Sequence, residues 1–247
     1  IKDRVAAAEG AVRIGEVNQA ATGESVTQRG LGFIDRIIEL APEVIAAILL
    51  TLFVGWGRAR GFVDVNADAW EVPMTERLRD GMRGDLKTKG HPWGKMLIIL
   101  PGTESRSEND ILIPDGRTDI PLMVIEVFLR TGEHDPHAII ECKRIAGSDT
   151  NLCREYVVEG MDRFRTGKYG NNHAVGFMVG YLLSGADSEA ADGVNKYLTR
   201  TARKVEHLAL SDICNEISSW TSQHARSAPS SPVRLHHAFL ELAATAI

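Results

Sequence analysis

Apolar positions along the chain follow two rhythms. Phe33, Ile34, Ile37, Ile38 and Ala41 recur at helical spacing, with Asp35, Arg36 and Glu39 between them, and beyond Pro42 the run from Val44 to Trp56 carries no charge. That uncharged run is shorter than the roughly 20 residues that cross a bilayer. It reads as a buried or oligomer-forming helix, and membrane association is not the expectation. Residues 1–30, rich in Ala, Gly, Glu and Gln, predict a loosely packed helix and a flexible connection. From Thr118 the rhythm changes. Thr118 to Leu129 is dense in Ile, Val, Leu and Phe, Arg130 to Pro136 is polar, and Ala138-Ile139-Ile140 resumes the apolar run. The pattern predicts strand, loop and strand. Tyr156 to Phe164 predicts a helix with Val157, Val158, Met161 and Phe164 in the core, and Ala174 to Leu183 the next strand. Asp187 to Leu210 is a polar helical stretch opened by Asp187-Ser188-Glu189, Ser211 to Trp220 a short element, Ser227 to Pro232 a connector, and His236 to Ala246 a terminal helix or strand.

Candidate chemistry concentrates on the hairpin. In an extended strand alternate side chains share a face, so Glu141 and Lys143 point one way while Ile140, Cys142 and Arg144 point the other. Folding the hairpin back brings Asp119, near the start of its first strand, beside Glu141. Two ionised carboxylates repel each other, and a hard divalent cation with oxygen ligands, Mg2+ or Mn2+, holds such a pair together. The ion polarises a phosphoryl oxygen and makes bound water a better nucleophile. The Cys142 carbonyl is a further hard ligand, and Lys143 is placed to orient water or neutralise phosphate. Two decoys read differently. Pro114-Asp115-Gly116 has the composition of a tight turn, whose aspartate bonds its own backbone. Asp85-Leu86-Lys87 repeats the acid-x-lysine spacing in a polar stretch and reads as a solvated helix end. Pro121 donates no ladder hydrogen bond and implies an edge or a bulge close to the site.

Asp119 and Glu141-Cys142-Lys143 resemble the first acid and the tripeptide of the PD-(D/E)xK superfamily of restriction-endonuclease-like nucleases. Thr118 stands where that pattern often has proline. Around them, the segment Met74 to Met82 resembles the family's preceding helix with Glu76 as the helix acid, Tyr156 to Phe164 the helix after the tripeptide, and Ala174 to Leu183 the strand that follows. The resemblance covers residues from about 70 to 185. It implies an α/β fold, restriction-endonuclease-like, with a central mixed sheet flanked by helices. It also implies metal-dependent hydrolysis of a nucleic-acid phosphodiester, most readily in DNA, in bacterial genome maintenance or anti-phage defence. On that basis Asp119 and Glu141 bind the metal with the Cys142 carbonyl, Lys143 positions or activates water, and Glu76 supports a second ion or the water network. The alternative is a catalytically silent module of the same fold that binds nucleic acid or scaffolds a larger complex.

Composition narrows the setting. With 247 residues, 44% of them hydrophobic, the chain can bury a sizeable core. It divides into an N-terminal helical extension, residues 1–65, and a nuclease-like domain, residues 66–247. The extension is suited to building a homo-oligomer or joining a larger complex. The net charge of -5 makes non-specific retention of nucleic acid weak, so DNA contact calls for a local basic surface. Arg144, Arg163 and Lys168 are its candidates, with Arg154 and Arg165 nearby. Tyr156, Glu159 and Arg163 share one helical face, turned either to the site or to solvent. Three cysteines, Cys142, Cys153 and Cys214, are an odd number without a C-x-x-C pair, which indicates neither a disulfide framework nor a zinc motif and suits a reducing cytoplasm. No cleavable signal is read at the start. Gly55 to Gly61 matches a dinucleotide loop only loosely and predicts a loop after the apolar helix. Gly167-Lys168-Tyr169 lacks the hydroxyl and spacing of a phosphate loop and predicts a turn, and His236-His237 read as surface or packing histidines.

Overall fold

The computed structural model describes residues 37–62, 71–102, 104–105, 116–226 and 231–242. Expectations for residues 1–36, for Pro114-Asp115 and for 227–230 lie outside that set. Helix α1 (Pro42–Ala59) opens with Pro42 in its first turn, where the missing N–H is no loss, and it buries Val44, Ile45, Ile48, Leu49, Leu52 and Trp56. Among the described residues it is the one helix long and apolar enough to cross a membrane, and its apolar stripe faces protein. The predicted loop at Gly55 is instead its last turns. Ile37 to Ala41, expected as helix, is extended: the Ile38 N–H donates to Asn172 O at 2.8 Å and its carbonyl accepts from Ala174 N at 2.9 Å.

Helix α2 (Glu71–Leu86) follows, then short strands β1 (Leu97–Ile99), β2 (Glu104–Ser105) and β3 (Gly116–Arg117). Strand β4 (Ile120–Val124) ends sooner than the apolar run does, because Ile125–Thr131 coils into helix α3, which Gly132 stops in the left-handed region at φ 68°. Strand β5 (Ala138–Ala146) leads into α4 (Thr150–Tyr156), capped by the Asp149 carboxylate on the Asn151 and Leu152 N–H groups at 2.8 and 3.1 Å. The helix continues through a π turn (Val157–Met161) into α5 (Asp162–Arg165). Then come β6 (Val175–Ser184), α6 (Asp187–Arg200), β7 (Ala209–Leu210), β8 (Trp220–His224) and β9 (Val233–Glu241), the last resolving the helix-or-strand alternative at the C-terminal end as a strand.

Seven strands form one mixed sheet in the order β1-β4-β5-β6-β9-β8-β7. β4 runs antiparallel to β5, and β5, β6 and β9 run parallel. Along β5, Ile140 and Cys142 share a core with α1 and α2, whereas Ile139 and Ile145 share a core with α4 and α6. Helices thus cover both faces, and the long apolar strands β5, β6 and β9 are buried on both sides. Helix α1 belongs to this shared core and Trp56 Nε1 donates to Glu241 O at 2.7 Å, so residues 42–59 pack as one of the sheet's covering layers.

His236 and His237 are both buried in β9. His237 sits in a closed polar chain: Tyr156 Oη lies 3.0 Å from its Nδ1, Ser222 Oγ bridges its Nε2 and His224 Nε2 at 2.7 Å each, and His224 Nδ1 lies 2.5 Å from Glu206 Oε2. With two imidazoles on its oxygen, Ser222 is a bridge in that chain.

Candidate active site

Strand β4 pairs with β5 only as far as Ile120 opposite Ile140. One step further along this register lie Asp119 and Glu141, which is how the sequence brings the two acids together. Beyond that point β4 departs, and the β5 edge has backbone groups without strand partners among the described residues. Carboxylates take them. Asp119 Oδ2 accepts from the Cys142 N–H at 2.7 Å, and Glu71 Oε2 accepts from the Arg144 N–H at 3.3 Å.

Glu71 is the acid the sequence reading missed. It is the first residue of α2, where a carboxylate suits the helix dipole, and the helix end directs it at the β5 edge. The only signal available in the sequence was an acid at a helix start. Glu76, assigned the role of helix acid, is not brought to the site: it lies on the exposed side of α2 and pairs with Arg79. Five residues of α-helix separate the two acids by more than a full turn and turn Glu76 away.

Glu141 is fully buried. Its Oε1 accepts from Lys143 Nζ at 2.9 Å and from Arg163 Nη1 at 2.8 Å, while its Oε2 is buried with no hydrogen-bond partner among the described residues. Lys143 Nζ makes three contacts, to Glu141 Oε1 at 2.9 Å, to Glu71 Oε1 at 3.0 Å and to the Cys142 carbonyl at 2.9 Å. Arg163 is braced by Tyr169, whose hydroxyl accepts from Nη1 at 2.7 Å and whose ring centroid lies 5.4 Å from the guanidinium carbon. The loop bearing Tyr169 is pinned in turn by Arg226, which donates to the carbonyls of Phe164, Asn171 and His173 at 2.7, 3.1 and 2.9 Å.

These contacts set the protonation of the group. Burial, then the neighbouring Asp119 charge, push Glu141 up to about 8 against the pull of Lys143 and Arg163. Burial also raises Asp119, partly offset by Lys143 and by the Cys142 N–H. Burial lowers Lys143, but Glu141, Glu71 and Asp119 outweigh it and hold the ammonium above the ordinary lysine range.

Arg163 therefore reaches the site, and its contacts there are Glu141 and Tyr169. Arg144 presents its backbone N–H to Glu71, and the side chains of Arg144 and Lys168 are both half-buried. Glu159 is exposed. Tyr156, Glu159 and Arg163 do not share a face, because the π turn adds residues between them: Tyr156 goes into the core, Glu159 to solvent and Arg163 to Glu141. The same turn leaves Val158 exposed while Val157, Met161 and Phe164 are buried as expected. Asp85 of the decoy tripeptide is buried at the end of α2 and pairs with Arg58 at 3.0 Å and His91 at 3.2 Å, so it is a structural ion pair.

Among the described residues no cluster of three or more His, Cys, Asp or Glu side chains is gathered as a ready metal cage. The donors available at the site are the Glu141 and Asp119 carboxylates and the Cys142 carbonyl, hard oxygens of the kind Mg2+ or Mn2+ takes, and the partnerless Glu141 Oε2 fits such an ion. Three acids, Asp119, Glu141 and Glu71, face two bases, Lys143 and Arg163, so the fully ionised group is left one negative charge in excess. Neither a protein-family model, nor a curated protein, nor a solved structure matches the chain.

Proposed function

We propose that the chain is a metal-dependent nuclease of the restriction-endonuclease-like type, hydrolysing phosphodiester bonds of DNA in the bacterial cytoplasm. The observation that carries this reading is the fully buried Glu141, two residues from Lys143 on one strand face and opposite Asp119, with one carboxylate oxygen left without a partner among the described residues. A buried carboxylate oxygen without a partner is costly to ionise, and a cation relieves that cost.

In this reading Asp119, Glu141 and the Cys142 carbonyl hold Mg2+ or Mn2+, which when bound activates water and stabilises charge on the phosphoryl oxygens. Lys143, anchored by Glu71, orients the attacking water and offers its charge to the scissile phosphate. Arg163 holds Glu141 in place, braced by Tyr169. Burial of the group keeps bulk water from screening these charges. DNA docks by phosphate contacts from surface cations, among which Arg144 and Lys168 flank the site. The setting, anti-phage defence or genome maintenance, follows from the family resemblance alone; assembly into an oligomer or larger complex rests on the N-terminal segment, of which residues 42–59 pack against this chain's own sheet.

A second reading has one observation in its favour. Asp119 Oδ2 is engaged by the Cys142 N–H and Glu141 Oε1 by Lys143 and Arg163, so much of the site is satisfied within the chain, as in a silent module that binds nucleic acid or serves as a scaffold. Incubation with plasmid and linear DNA in Mn2+, Mg2+ or EDTA separates the two. The nuclease reading expects metal-dependent cleavage that falls by on the order of 10³-fold in Asp119→Ala and Lys143→Ala. Glu71→Gln should fall with them, while Glu76→Gln stays within about twofold of the parent, as an exposed residue away from the chemistry should. Folded, metal-binding protein that leaves every substrate intact supports the silent module.

A further inference from the structure

The Lys143 ammonium is held wholly by oxygens of its own chain. Its three N–H groups meet three oxygens, Glu71 Oε1 at 3.0 Å, Glu141 Oε1 at 2.9 Å and the Cys142 carbonyl at 2.9 Å. They come from a helix end, a strand side chain and a strand backbone. An ammonium has three donors and no acceptor, so this arrangement saturates it. The same three oxygens are hard, closely gathered and carry two of the site's carboxylates, which is the donor chemistry of a divalent cation. Glu141, with nothing of its side chain exposed and Oε2 unpartnered, belongs to this set.

We propose that Lys143 is the resident cation of a divalent-metal site formed by Glu71, Glu141 and the Cys142 carbonyl, and that Mg2+ or Mn2+ enters by displacing its ammonium. The inference rests on the nuclease reading for the metal's use and goes beyond it in two respects: it makes Glu71 a ligand, and it makes Lys143 a competitor for the ion it later serves. An ammonium held by two carboxylates and a dication near the same oxygens repel each other, so both cannot stay as they are. The displaced side chain has four methylenes of reach from a rigid strand, enough to leave the Cys142 carbonyl while staying beside the reacting phosphate.

The competition has a signature that an ordinary supporting lysine lacks. Lys143→Met, close in volume and without charge, should bind Mn2+ more tightly than the parent by roughly tenfold or more, the scale on which one cation beside a carboxylate pair counts at a protein's effective dielectric, while DNA cleavage is lost. Calorimetric titration with MnCl2 reads the affinity, and far-ultraviolet circular dichroism verifies the fold. Glu71→Gln should weaken Mn2+ binding. Equal or weaker binding in Lys143→Met overturns the proposal and leaves the nuclease reading standing if the parent cleaves DNA. No Mn2+ binding by either protein overturns both. Tighter binding in the variant together with an inert parent supports the site and sinks the nuclease reading. Should Lys143→Met fail to fold, the parent still decides: its 13C-labelled Lys143 Cε resonance should shift with Mg2+ occupancy, and a resonance unmoved at saturation overturns the displacement.

Discussion

Glu141 is gripped through one oxygen and open at the other, and this asymmetry makes a pH-dependent prediction. Burial and the Asp119 charge raise its carboxyl from 4.5 to about 8, so between those values the folded chain keeps a proton that the unfolded chain has released. The contribution of this group to stability is therefore complete at the acid end of the window and declines as pH rises through about 8. A cation ligates the ionised form. Mn2+ affinity should accordingly rise with pH up to that value, and binding near neutrality should release a proton. Titration calorimetry in two buffers of different ionisation heat should then give different binding heats, and identical heats would refute the proton release. Most of this site was legible in the sequence. Strand alternation gave the shared face of Glu141 and Lys143, and the antiparallel return gave Asp119. Glu71 was not legible, because which end of a helix meets a strand edge is decided by tertiary packing, and the resemblance to the family's helix drew attention to Glu76 in the middle of the helix.

At the scale of elements, helices α1 and α2 cross so closely that side chains cannot separate them. A Cβ at Gly81 would lie 2.1 Å from the Gly55 carbonyl oxygen, and a Cβ at Gly55 would lie 2.6 Å from the Met82 backbone nitrogen. Backbone atoms cannot yield as a flexible side chain does, so Gly81→Ala should destabilise the fold by about 3 kcal/mol, the upper end of overpacking effects. A urea midpoint unchanged by that substitution would show that the two helices do not pack this way. This crossing also positions the start of α2, and with it Glu71, so the variant should lose cleavage beyond its loss of stability. Hydrophobic rhythm located the α1 stripe, strand β6 and the helix after the tripeptide. It misread Ile125 to Thr131, whose β-branched and aromatic residues suit a strand equally well, and where the decisive signal is Gly132 stopping a helix. The π turn left no mark in the pattern, because one extra residue per turn shifts a face without changing composition.

Across the whole molecule, buried histidines set the response to acid. Burial brings His173 down to about 3 and His236 to about 4, and it also lowers His237 well below the ordinary range. These groups stay neutral in the fold and become charged in the unfolded chain. Their contribution to stability is thus present above about 6.5 and is lost as pH falls through about 4 and then about 3, with a slope of about 1.4 kcal/mol per pH unit for each group. Both ring nitrogens of His236 lack partners among the described residues, and the ring lies 5.8 Å from that of Phe177. His236→Phe should raise the urea midpoint at pH near 5 and flatten its acid slope, and a lowered midpoint would mean that the imidazole has a polar partner. The sequence yielded the α/β class and the mixed sheet. It did not yield the integration of residues 42–59 into the sheet's core, since an apolar helix reads the same whether its partner is this sheet or another protein.

The most direct measurement is a crystal structure of the protein grown with MnCl2, read by anomalous scattering. An Mn2+ peak about 2.1 Å from a Glu141 carboxylate oxygen, with Asp119 or Glu71 and the Cys142 carbonyl completing its shell and Lys143 Nζ moved off that carbonyl, is the predicted result. A site without a peak at saturating Mn2+, with Lys143 still on its three oxygens, would contradict it and leave an ion-paired strand edge as the role of these residues.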